Sequence, residues 1–278
     1  MNADLHCHSN VSDGCLDPAD VVRRAHDNGV TLFSLTDHDV LDGTAEAARE
    51  AAALGMRFVP GVEVSVTYQD VTVHVVGLGV DPENPALKSN LERVRAGRVE
   101  RAQRMADALS RVGLGGMLAG ARRFARNPTM IGRAHFARHL VASGVMPDVR
   151  TVFDHYLAYG KPGFVPHSWA DLEEAVDWIR GAGGIAVMAH PARYCQRLSK
   201  AAIDNLFDIF VAAGGKAVEV VAGAHSPEEA QRFATLARQR GLLASIGSDF
   251  HGENESPVDI GRCNPLPPDL EPVWLRLI

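Results

Sequence analysis

The sequence predicts an α/β fold in which strands and helices alternate and one helical segment interrupts the alternation. Apolar strand-like runs alternate with helices over the first 80 residues, and the same rhythm returns between 171 and 249. From about 83 to 165, by contrast, no strong strand pattern occurs. Repeated strand–helix units of this length are typical of parallel strands joined by right-handed crossovers. We therefore expect a discontinuous domain over 1–82 and 166–278, with a helical insertion over 83–165.

Caps and glycines delimit the first strand–helix units. Asp17 is the expected N-cap of a helix that starts at Pro18 and stops at Asn28 and Gly29. A second helix, rich in alanine, is closed by Gly55. The expected strands of this part cover 31–36, 57–64 and 71–78, and the second helix covers 44–54.

The rest of the chain is helical at first and then alternates again. An arginine-rich amphipathic helix is expected over 87–112, and its arginines along 93–104 should form a solvated face. Ser226 and Glu229 enclose Pro227 in a capping box, which predicts a helix start. Further helices are expected over 133–142, 149–159, 171–182 and 227–240, and further strands over 185–190, 217–221 and 243–249.

The composition indicates an ordinary globular protein. Hydrophobic residues make up 46% of the 278 residues, and the formal net charge of −6 argues against broad coating of nucleic acid. We expect a cytoplasmic protein without membrane association or an obligate protein partner, because no signal peptide or membrane-length apolar run is visible. The four cysteines lack a paired zinc spacing. Cys7 lies between two histidines on a strand and should point into the core rather than act as a ligand.

Four short segments combine imidazole and carboxylate groups in the manner of a metal centre. The strongest is Asp-Leu-His-Cys-His at 4–8, followed by Ser-Asp-Gly at 12–14, because His6 and His8 would face the same side of one strand. Imidazole together with carboxylate binds hard or borderline divalent cations. In strand–helix folds, function gathers where strands end. The other candidates at predicted strand ends are His38, His190, Asp249 and His251.

Polar residues inside apolar strands give further candidates. Glu63 lies between Val62 and Val64, and a buried carboxylate is costly unless it is paired or bound to a cation. A structural salt bridge is the alternative for Glu63, and an ordinary core histidine is the alternative for His74. The acids on either side of His38, which are Asp37 and Asp39, are expected to orient an imidazole.

Together these segments resemble the PHP (polymerase and histidinol phosphatase) family. The resemblance rests on four ordered motifs at 4–14, 36–39, 189–191 and 247–251. It implies a distorted (β/α)7 barrel that holds two or three divalent metal ions, with manganese expected and iron or zinc as alternatives. The helical insertion would then form a substrate-binding cap. The Ser-Asp-Gly turn departs from histidinol phosphatase-like and polymerase-associated members, which makes those two functions less favoured.

The resemblance also implies which residues hold each ion. One ion would be held by His6, His8, Glu63 and Asp249; a second by Asp13, His38 and His251; and a third by Glu63, His74 and His190. The nucleophile would be a metal-bridging hydroxide held by Glu63, Asp249, His6 and His8, since cations lower the pKa of bound water. His225 follows a predicted strand and could also approach this site, although a loop histidine beside an N-cap is the alternative.

Two segments of the insertion region refine the expected substrate. Residues 131–138 and 159–166 resemble the branch of the family that contains nucleoside 3′,5′-bisphosphate phosphatases and 5′-to-3′ exoribonucleases acting on short RNA. Arg133 offers a planar fork suited to phosphate and Lys161 a point charge, with His135 as a further substrate-binding candidate. Arg138 is expected to face elsewhere.

The predicted activity is therefore metal-dependent hydrolysis of the 3′-phosphate of a nucleoside 3′,5′-bisphosphate, which leaves a nucleoside 5′-monophosphate. Exonuclease activity on short RNA, a histidinol phosphatase-like activity and a non-catalytic PHP module are the alternatives. The expected partner is a small phosphorylated nucleotide, with short RNA as the second candidate.

Overall fold

A computed structural model describes residues 1–277 and shows an α/β fold with two sheets. The three-stranded sheet is parallel and is formed by β1 (Ala3–Asp4), β2 (Leu32–Phe33) and β3 (Arg57–Phe58). The five-stranded sheet has the order β4 (Gly61–Tyr68), β5 (Val71–Leu78), β6 (Ile185–Met188), β7 (Ala217–Ala222) and β8 (Leu243–Gly247).

The expectation of parallel strands throughout is wrong for part of the second sheet. β4 and β5 form an antiparallel hairpin, and β5 also pairs antiparallel with β6. Gln69 and Asp70 form the turn between β4 and β5, with φ of 46° and 62°. Two residues are enough to reverse a chain into a hairpin but far too few for the crossover that parallel pairing needs. Within this five-stranded sheet, β6, β7 and β8 pair in parallel as expected, as do the three strands of the smaller sheet.

Short contacts connect the two sheets. The Leu5 amide donates to the Ile246 carbonyl at 3.0 Å, and Cys7 forms a parallel bridge with Phe250 beyond β8. On the other side, His38 forms a parallel bridge with Glu63 at the start of β4. The segments that follow β1 and β2 therefore lie against the ends of the larger sheet, which brings the predicted motifs next to one another.

Nine α-helices lie within residues 1–277. They are α1 (Pro18–Asp27), α2 (Thr44–Ala53), α3 (Pro85–Ser110), α4 (Met117–Arg122), α5 (Arg133–Ala142), α6 (Val149–Val152), α7 (Leu172–Gly181), α8 (Lys200–Ala212) and α9 (Pro227–Arg240). A π-helical turn covers Phe153–Leu157, and 3₁₀ turns cover Pro128–Met130, Pro191–Gln196 and Val273–Arg276. In this described part of the chain, no helix has both the length and the apolar character needed to cross a membrane.

The predicted helix caps differ in what their side chains do. Ser226 accepts from the Glu229 amide and the Glu229 carboxylate accepts from the Ser226 amide, which confirms the capping box. Asp17 occupies the N-cap position of α1, but its side chain does not cap the helix. Its carboxylate instead accepts hydrogen bonds from Asn10 and Arg126, which outcompete the helix amides.

The segment from 83 to 165 contains helices and turns and no strand. It has a hydrophobic cluster separate from the core of the larger sheet, with Met105, Leu109, Phe136 and Leu140 among its fully buried members. The main cluster packs α7, α8 and α9 against the five-stranded sheet. Cys7 is fully buried in a third cluster with residues of α1 and α2, so it points away from the neighbouring histidines as expected.

Candidate metal centre

Nine imidazole and carboxylate side chains converge where the strands end. His6 and His8 follow β1, His38 follows β2, Glu63 and His74 lie on β4 and β5, His190 follows β6, and Asp249 and His251 follow β8. Asp13 reaches the same place from the turn after His8. Their ligand atoms form overlapping groups of three or four that lie within 4.8 Å of one another. The structure thus brings together all nine residues that the sequence singled out.

The first predicted ion site is compact and fully enclosed. The Nε2 atoms of His6 and His8 are 3.2 Å apart. His6 Nε2 lies 3.3 Å from Glu63 Oε1 and 3.5 Å from Asp249 Oδ1. His8 Nε2 lies 3.3 Å from Glu63 Oε2 and 3.1 Å from Asp249 Oδ1. Two imidazole nitrogens and two carboxylates therefore point at one common volume.

The second and third predicted sites adjoin the first. Asp13 Oδ1 lies 3.4 Å from His251 Nε2 and 3.9 Å from His38 Nε2. Glu63 Oε1 lies 2.9 Å from both His74 Nδ1 and His190 Nε2, which are themselves 3.2 Å apart. Glu63 is common to the first and third groups, so its carboxylate can bridge two cations.

Unpartnered polar atoms show that this donor set fits cations. His8 Nδ1, Asp13 Oδ1, His38 Nδ1 and Glu63 Oε2 are buried, and none makes a hydrogen bond within residues 1–277. His38 Nδ1 and Glu63 Oε2 are only 2.8 Å apart, yet their contact lacks hydrogen-bond geometry. Buried polar atoms without partners are costly. These nitrogen and oxygen atoms point their lone pairs at a common volume without bonding one another, as the ligands of a bound cation do. A mixed set of imidazole and carboxylate ligands suits manganese, iron or zinc.

Burial and neighbouring charges shift the pKa values of several candidate ligands. Burial lowers the pKa of His8 to about 3, and the neighbouring His251 adds to that effect. Burial acts on His251 in the same direction, but the carboxylates of Asp13 and Asp249 outweigh it and raise the pKa of His251 to about 9. The Asp249 carboxylate also contacts Arg193, and despite burial this neighbouring charge and that of His6 hold the pKa of Asp249 well below its usual range.

Local backbone geometry explains how the ligands reach their places. His190 and Asp249 adopt positive φ angles of 26° and 54°, a backbone region that residues other than glycine rarely occupy. Gly247 lies so close to His6 that a Cβ there would be 2.2 Å from the His6 Cβ. A Cβ on Gly14 would come within 2.4 Å of the His8 carbonyl oxygen. The Ser-Asp-Gly turn therefore needs glycine in order to fold back against His8.

Glu219 on β7 is a site residue that the sequence reasoning missed. Its carboxylate lies 2.7 Å from His6 Nδ1 and accepts the backbone amide of His190 at 2.6 Å. It therefore fixes the ring of one candidate ligand and the backbone of another. The signal was present, since Glu219 is a carboxylate in the apolar run 217–222, the same pattern that drew attention to Glu63.

Asp37 and Asp39 do not orient an imidazole as expected. Asp37 accepts the amide and hydroxyl of Ser9 and the hydroxyl of Ser12, so it shapes the turn that carries Asp13. Asp39 accepts the amide and hydroxyl of Ser65 and two donors of Arg98. Both carboxylates are thus occupied by serine and arginine donors instead of an imidazole.

A cavity of about 740 Å³ opens beside the metal-ligand cluster. His38, His74, His251 and Asp13 lie in its wall. Its lining also includes five guanidinium groups, namely those of Arg98, Arg101, Arg133, Arg150 and Arg193. We refer to this space as the central cavity. Its volume suits a ligand of nucleotide size.

The central cavity contains more positive charge than its carboxylates balance. Glu253 and Glu255, which also line it, are paired with Arg24 and Arg138. Outside the ligand cluster, this leaves the carboxylate of Asp154 against the guanidinium groups of Arg101, Arg133 and Arg150. Arg133 has no hydrogen bond or ion pair to any residue from 1 to 277, and its guanidinium lies 5.5 Å over the ring of Phe153.

Arg101 is in a similar position to Arg133. Arg101 donates only to the Val165 carbonyl. Burial, and then the neighbouring Arg133 and Arg98, lower the pKa of Arg101 to about 9. Buried cations that repel one another in this way favour an anionic ligand.

The prediction that the arginines along 93–104 form a solvated face is wrong for two of them. Arg98 and Arg101 are only 7% and 8% exposed. Both guanidinium groups lie over the ring of Trp169, at 4.7 and 5.5 Å from its centroid. Arg93 and Arg104 are solvated, with side chains 60% and 45% exposed, whereas Arg95 is only 16% exposed and donates to the Asp39 carbonyl. Arg98 and Arg101 are buried because Trp169, which is distant in sequence, packs against this turn of α3.

Arg138 also has a role that was not expected. Its guanidinium donates to the Asp13 carbonyl at 2.6 Å and to Glu255 Oε1 and Oε2 at 2.7 Å each. It also donates to the Gly14 carbonyl at 3.4 Å. Arg138 therefore faces the metal-ligand cluster from α5 and clamps the backbone of the Asp13 turn.

Three sequence candidates do not reach the central cavity. Lys161 is exposed in the loop after the π-helical turn and is absent from the cavity wall. His135 is buried, and its Nδ1 accepts the Gly132 amide to cap α5. His225 directs its Nδ1 to the Val220 carbonyl and stacks on Phe233, so only its neighbour Ala224 lines the cavity.

The profile of the PHP domain matches residues 4–221 of this chain. The chain belongs to the PHP family. This confirms the family predicted from the four motifs. The matched segment contains seven of the nine candidate ligands, from His6 to His190, and Asp249 and His251 lie beyond it.

Two curated relatives of this PHP protein match it over nearly their whole length. A protein from Chromobacterium violaceum named 3′,5′-nucleoside bisphosphate phosphatase is 51% identical, over 99% of this chain and 96% of the relative. A protein from Escherichia coli named 5′-3′ exoribonuclease Rnm is 40% identical, over 98% of this chain and 92% of the relative.

Solved structures of PHP relatives agree with this fold. A protein from Chromobacterium violaceum described as an amidohydrolase with bound sulfate and no metal has a TM-score of 0.96 and 50% identity, over 100% of this chain and 96% of that one. A protein from Bifidobacterium adolescentis, provisionally described as a metal-dependent phosphoesterase, has a TM-score of 0.84 and 30% identity, over 99% of this chain and 94% of that one. The α/β fold of the PHP family is therefore established for this chain.

Proposed function

We propose that this PHP protein is a metal-dependent phosphatase that hydrolyses the 3′-phosphate of nucleoside 3′,5′-bisphosphates to give nucleoside 5′-monophosphates. The observation that carries the proposal is a cavity of about 740 Å³ whose wall combines four members of the nine-residue ligand cluster with arginines that lack carboxylate partners. Such a cavity offers one place for the phosphate that is cleaved and a separate place for a phosphate that is only held. The relative from Chromobacterium violaceum bears the name of this activity.

The ligand cluster would hold two or three divalent cations, with manganese as the expected metal. His6, His8, Glu63 and Asp249 would hold one; Asp13, His38 and His251 a second; and Glu63, His74 and His190 a third. When bound, divalent cations activate water as a nucleophile at neutral pH and neutralise charge on a phosphoryl group. The bridges that connect the two sheets at Cys7 and at His38 support the distorted (β/α)7 barrel of PHP proteins as the architecture around these ions.

Other residues of the chain would orient the metal ligands and bind the phosphates of the substrate. Glu219 holds the His6 ring and the His190 backbone, so that the imidazoles keep their direction. Arg193 contacts Asp249 and also lines the central cavity, so it is placed to meet a phosphate at the ligand cluster. Arg133 and Arg101 have free donors and would hold the 5′-phosphate, in place of the expected Lys161 and His135.

Exonuclease activity on short RNA is the second candidate, because the Escherichia coli relative is named an exoribonuclease. Both activities need the same ligand cluster and the same site for a 5′-phosphate. They differ in whether the 3′-phosphate carries a further nucleotide. The volume of the central cavity, about 740 Å³, suits a single nucleotide, which favours the phosphatase.

The proposal is tested with metal-loaded protein and two substrates, a nucleoside 3′,5′-bisphosphate and the matching 3′-monophosphate. The 5′-phosphate is remote from the reaction, so its binding energy should appear in kcat/KM. A charge-assisted hydrogen bond contributes roughly 1.5–3 kcal/mol, so the bisphosphate should be favoured by about ten- to a hundredfold. Arg133→Ala should narrow that preference.

Arg123→Ala, which changes an exposed arginine outside the central cavity, is the matched control and should leave the preference intact. Equal kcat/KM on the two substrates in the wild-type protein would rule out a dedicated 5′-phosphate site. A uniform loss on both substrates in Arg133→Ala would place Arg133 at the cleaved phosphate instead.

A further inference from the structure

A second pocket of about 530 Å³ adjoins the central cavity. We call it the outer pocket. It shares Thr72, Arg101 and Trp169 with the central cavity, and none of the nine candidate metal ligands lines it. The two spaces therefore meet at the arginine cluster and not at the ligand cluster. Whatever occupies the outer pocket lies beyond the arginines as seen from the reacting phosphate.

The wall of the outer pocket combines guanidinium groups with aromatic rings. Arg104 and Arg197 add positive charge to that of Arg101. Arg104 is 3.9 Å from Glu100 and has no closer carboxylate among residues 1–277. Arg197 donates to the Asp70 carbonyl, and its guanidinium lies 3.8 Å over the ring of Tyr159.

The rings of the outer pocket are available to a planar ligand. Tyr159 is 63% exposed, which is unusual for a large aromatic side chain. Phe164 packs edge-on against it at 5.3 Å between ring centroids. A basic groove with exposed aromatic rings is the arrangement that binds single-stranded nucleic acid, because rings stack with bases while cations contact phosphates.

The positions of the ligand cluster, the arginines and the outer pocket determine which end of a nucleotide would enter the outer pocket. In the proposed function the 3′-phosphate lies at the ligand cluster and the 5′-phosphate lies at Arg101 and Arg133. A group attached to that 5′-phosphate would pass Arg101 and Trp169 and enter the outer pocket. The structure thus has room on the 5′ side of the nucleotide whose 3′-phosphate is removed.

We propose that the outer pocket binds a second nucleotide, so that the protein also removes the terminal 3′-phosphate from a dinucleotide with phosphates at both ends. This inference rests on the proposed function. The internal phosphodiester would lie at Arg101 and Arg133, and the base of the 5′-nucleotide would stack at Tyr159. Water attacks the terminal phosphorus, the bond from phosphorus to the 3′-oxygen breaks, and that oxygen takes up a proton. The products are inorganic phosphate and a dinucleotide that keeps its 5′-phosphate and has a free 3′-hydroxyl.

The test compares the nucleoside 3′,5′-bisphosphate with the 5′,3′-bisphosphorylated dinucleotide, using metal-loaded full-length protein and chromatography of the products. The inference expects inorganic phosphate and an intact dinucleotide from the longer substrate. Cleavage of the internal linkage to a 5′-monophosphate and a nucleoside bisphosphate would overturn it, since the second nucleotide would then lie on the leaving-group side. Turnover of the bisphosphate with no reaction of the dinucleotide would overturn it as well. Failure of the bisphosphate itself would refute the proposed function instead.

Two exposed residues of the outer pocket give the decisive variants. Tyr159→Ala and Arg104→Ala should each lower kcat/KM for the dinucleotide by about tenfold, the size expected for one lost stacking or phosphate contact, and should leave the bisphosphate unchanged. Arg122→Ala, at an exposed arginine of α4 outside both pockets, is the control and should change neither substrate.

A third substrate separates a nucleotide from bare phosphates. A nucleoside 3′-phosphate with a 5′-triphosphate would also extend past Arg101 but carries no second base. Suppose that Arg104→Ala lowers kcat/KM for the triphosphate while Tyr159→Ala leaves kcat/KM for the dinucleotide unchanged. The outer pocket is then a polyphosphate site, and its assignment to a second nucleotide is wrong. Equal losses on the dinucleotide and the bisphosphate in both variants would also overturn the inference.

Discussion

Glu63 is the residue on which the metal centre depends most. Its two carboxylate oxygens lie within 3.3 Å of nitrogen atoms of five histidines, which are His6, His8, His38, His74 and His190. Despite its burial, these neighbours, His74 and His38 foremost, hold the pKa of Glu63 well below its usual range. A buried carboxylate at the centre of so many imidazoles can bridge cations, and no neutral side chain would replace its charge.

Glu63→Gln should therefore remove turnover and bound metal together. Even partners outside the direct ligands cost about 10–100-fold when they are lost, so kcat/KM should fall at least about a hundredfold. His26→Ala, at an exposed position on α1, should retain both activity and metal. Elemental analysis and phosphate release on the same samples check this. Wild-type activity in Glu63→Gln with full metal content would contradict the bridging role.

At the level of elements, the turn that carries Asp13 is held from two sides. Asp37 binds the serines that precede Asp13 in this turn, and Arg138 on α5 binds its backbone carbonyls. Arg138 also contacts Glu255 beyond β8. A helix of the 83–165 segment thus joins two distant parts of the ligand cluster.

Arg138→Met should loosen this turn and weaken the site formed by Asp13, His38 and His251. We expect the protein to lose about one equivalent of metal and about tenfold or more in kcat/KM, because charged hydrogen bonds of roughly 1.5–3 kcal/mol each are removed. Arg122→Met on α4 is the matched control. Circular dichroism shows whether the variant is folded. A folded Arg138→Met protein with unchanged metal content and kcat/KM would show that the hydrogen bonds of Arg138 to the Asp13 turn are not needed for metal binding or activity.

The elements also show how far the sequence could predict the fold. Helices with clear caps, such as the one begun by Ser226, are local properties, and they were predicted within a few residues. The single strand predicted over 57–64 is wrong, because the chain leaves the smaller sheet after β3 and enters the larger one with β4. The antiparallel pairing of β4, β5 and β6 was not predicted, because an apolar strand of this kind does not show which neighbour it will pair with. Arg98 and Arg101 were predicted to be solvated because the residues that contact them, such as Asp39 and Trp169, are distant in sequence.

The candidate site shows the same contrast between residues predicted from local patterns and residues whose contacts form only in the folded chain. The nine candidate ligands could be identified because imidazole and carboxylate groups at strand ends are rare and their motifs follow a fixed order. Groups that act through contacts made only in the folded chain, such as Glu219 behind His6, could not be identified with the same ease. Lys161 and His135 show the converse, since residues near the right motif can still face solvent or cap a helix.

At the scale of the whole molecule, the ligand cluster joins the two ends of the chain. Its members run from His6 to His251, and they come from both sheets and from the turns between them. Cations bound here would add to the contacts that already join the two ends of the chain, such as the bridge of Cys7 with Phe250 and the ion pair of Arg24 with Asp259. The metal centre should therefore stabilise the fold as well as support catalysis.

Removal of metal should lower the thermal stability of the protein. A ligand that binds only the folded state at about a hundred times its Kd adds about 2.7 kcal/mol, which corresponds to roughly 5–10 °C in Tm for a chain of this size. Differential scanning calorimetry before and after chelation measures the shift, and return of manganese should reverse it. An identical Tm with and without metal would mean that the cluster does not bind cations in the folded protein.

The most direct test of the central claim is the identity of the products formed from a nucleoside 3′,5′-bisphosphate. Metal-loaded protein is incubated with this substrate, and phosphorus NMR follows which phosphate is released. Our account predicts inorganic phosphate and the nucleoside 5′-monophosphate in equal amounts, because the arginines hold the 5′-phosphate away from the ligand cluster. Formation of the nucleoside 3′-monophosphate, or no reaction in the presence of bound metal, would contradict it.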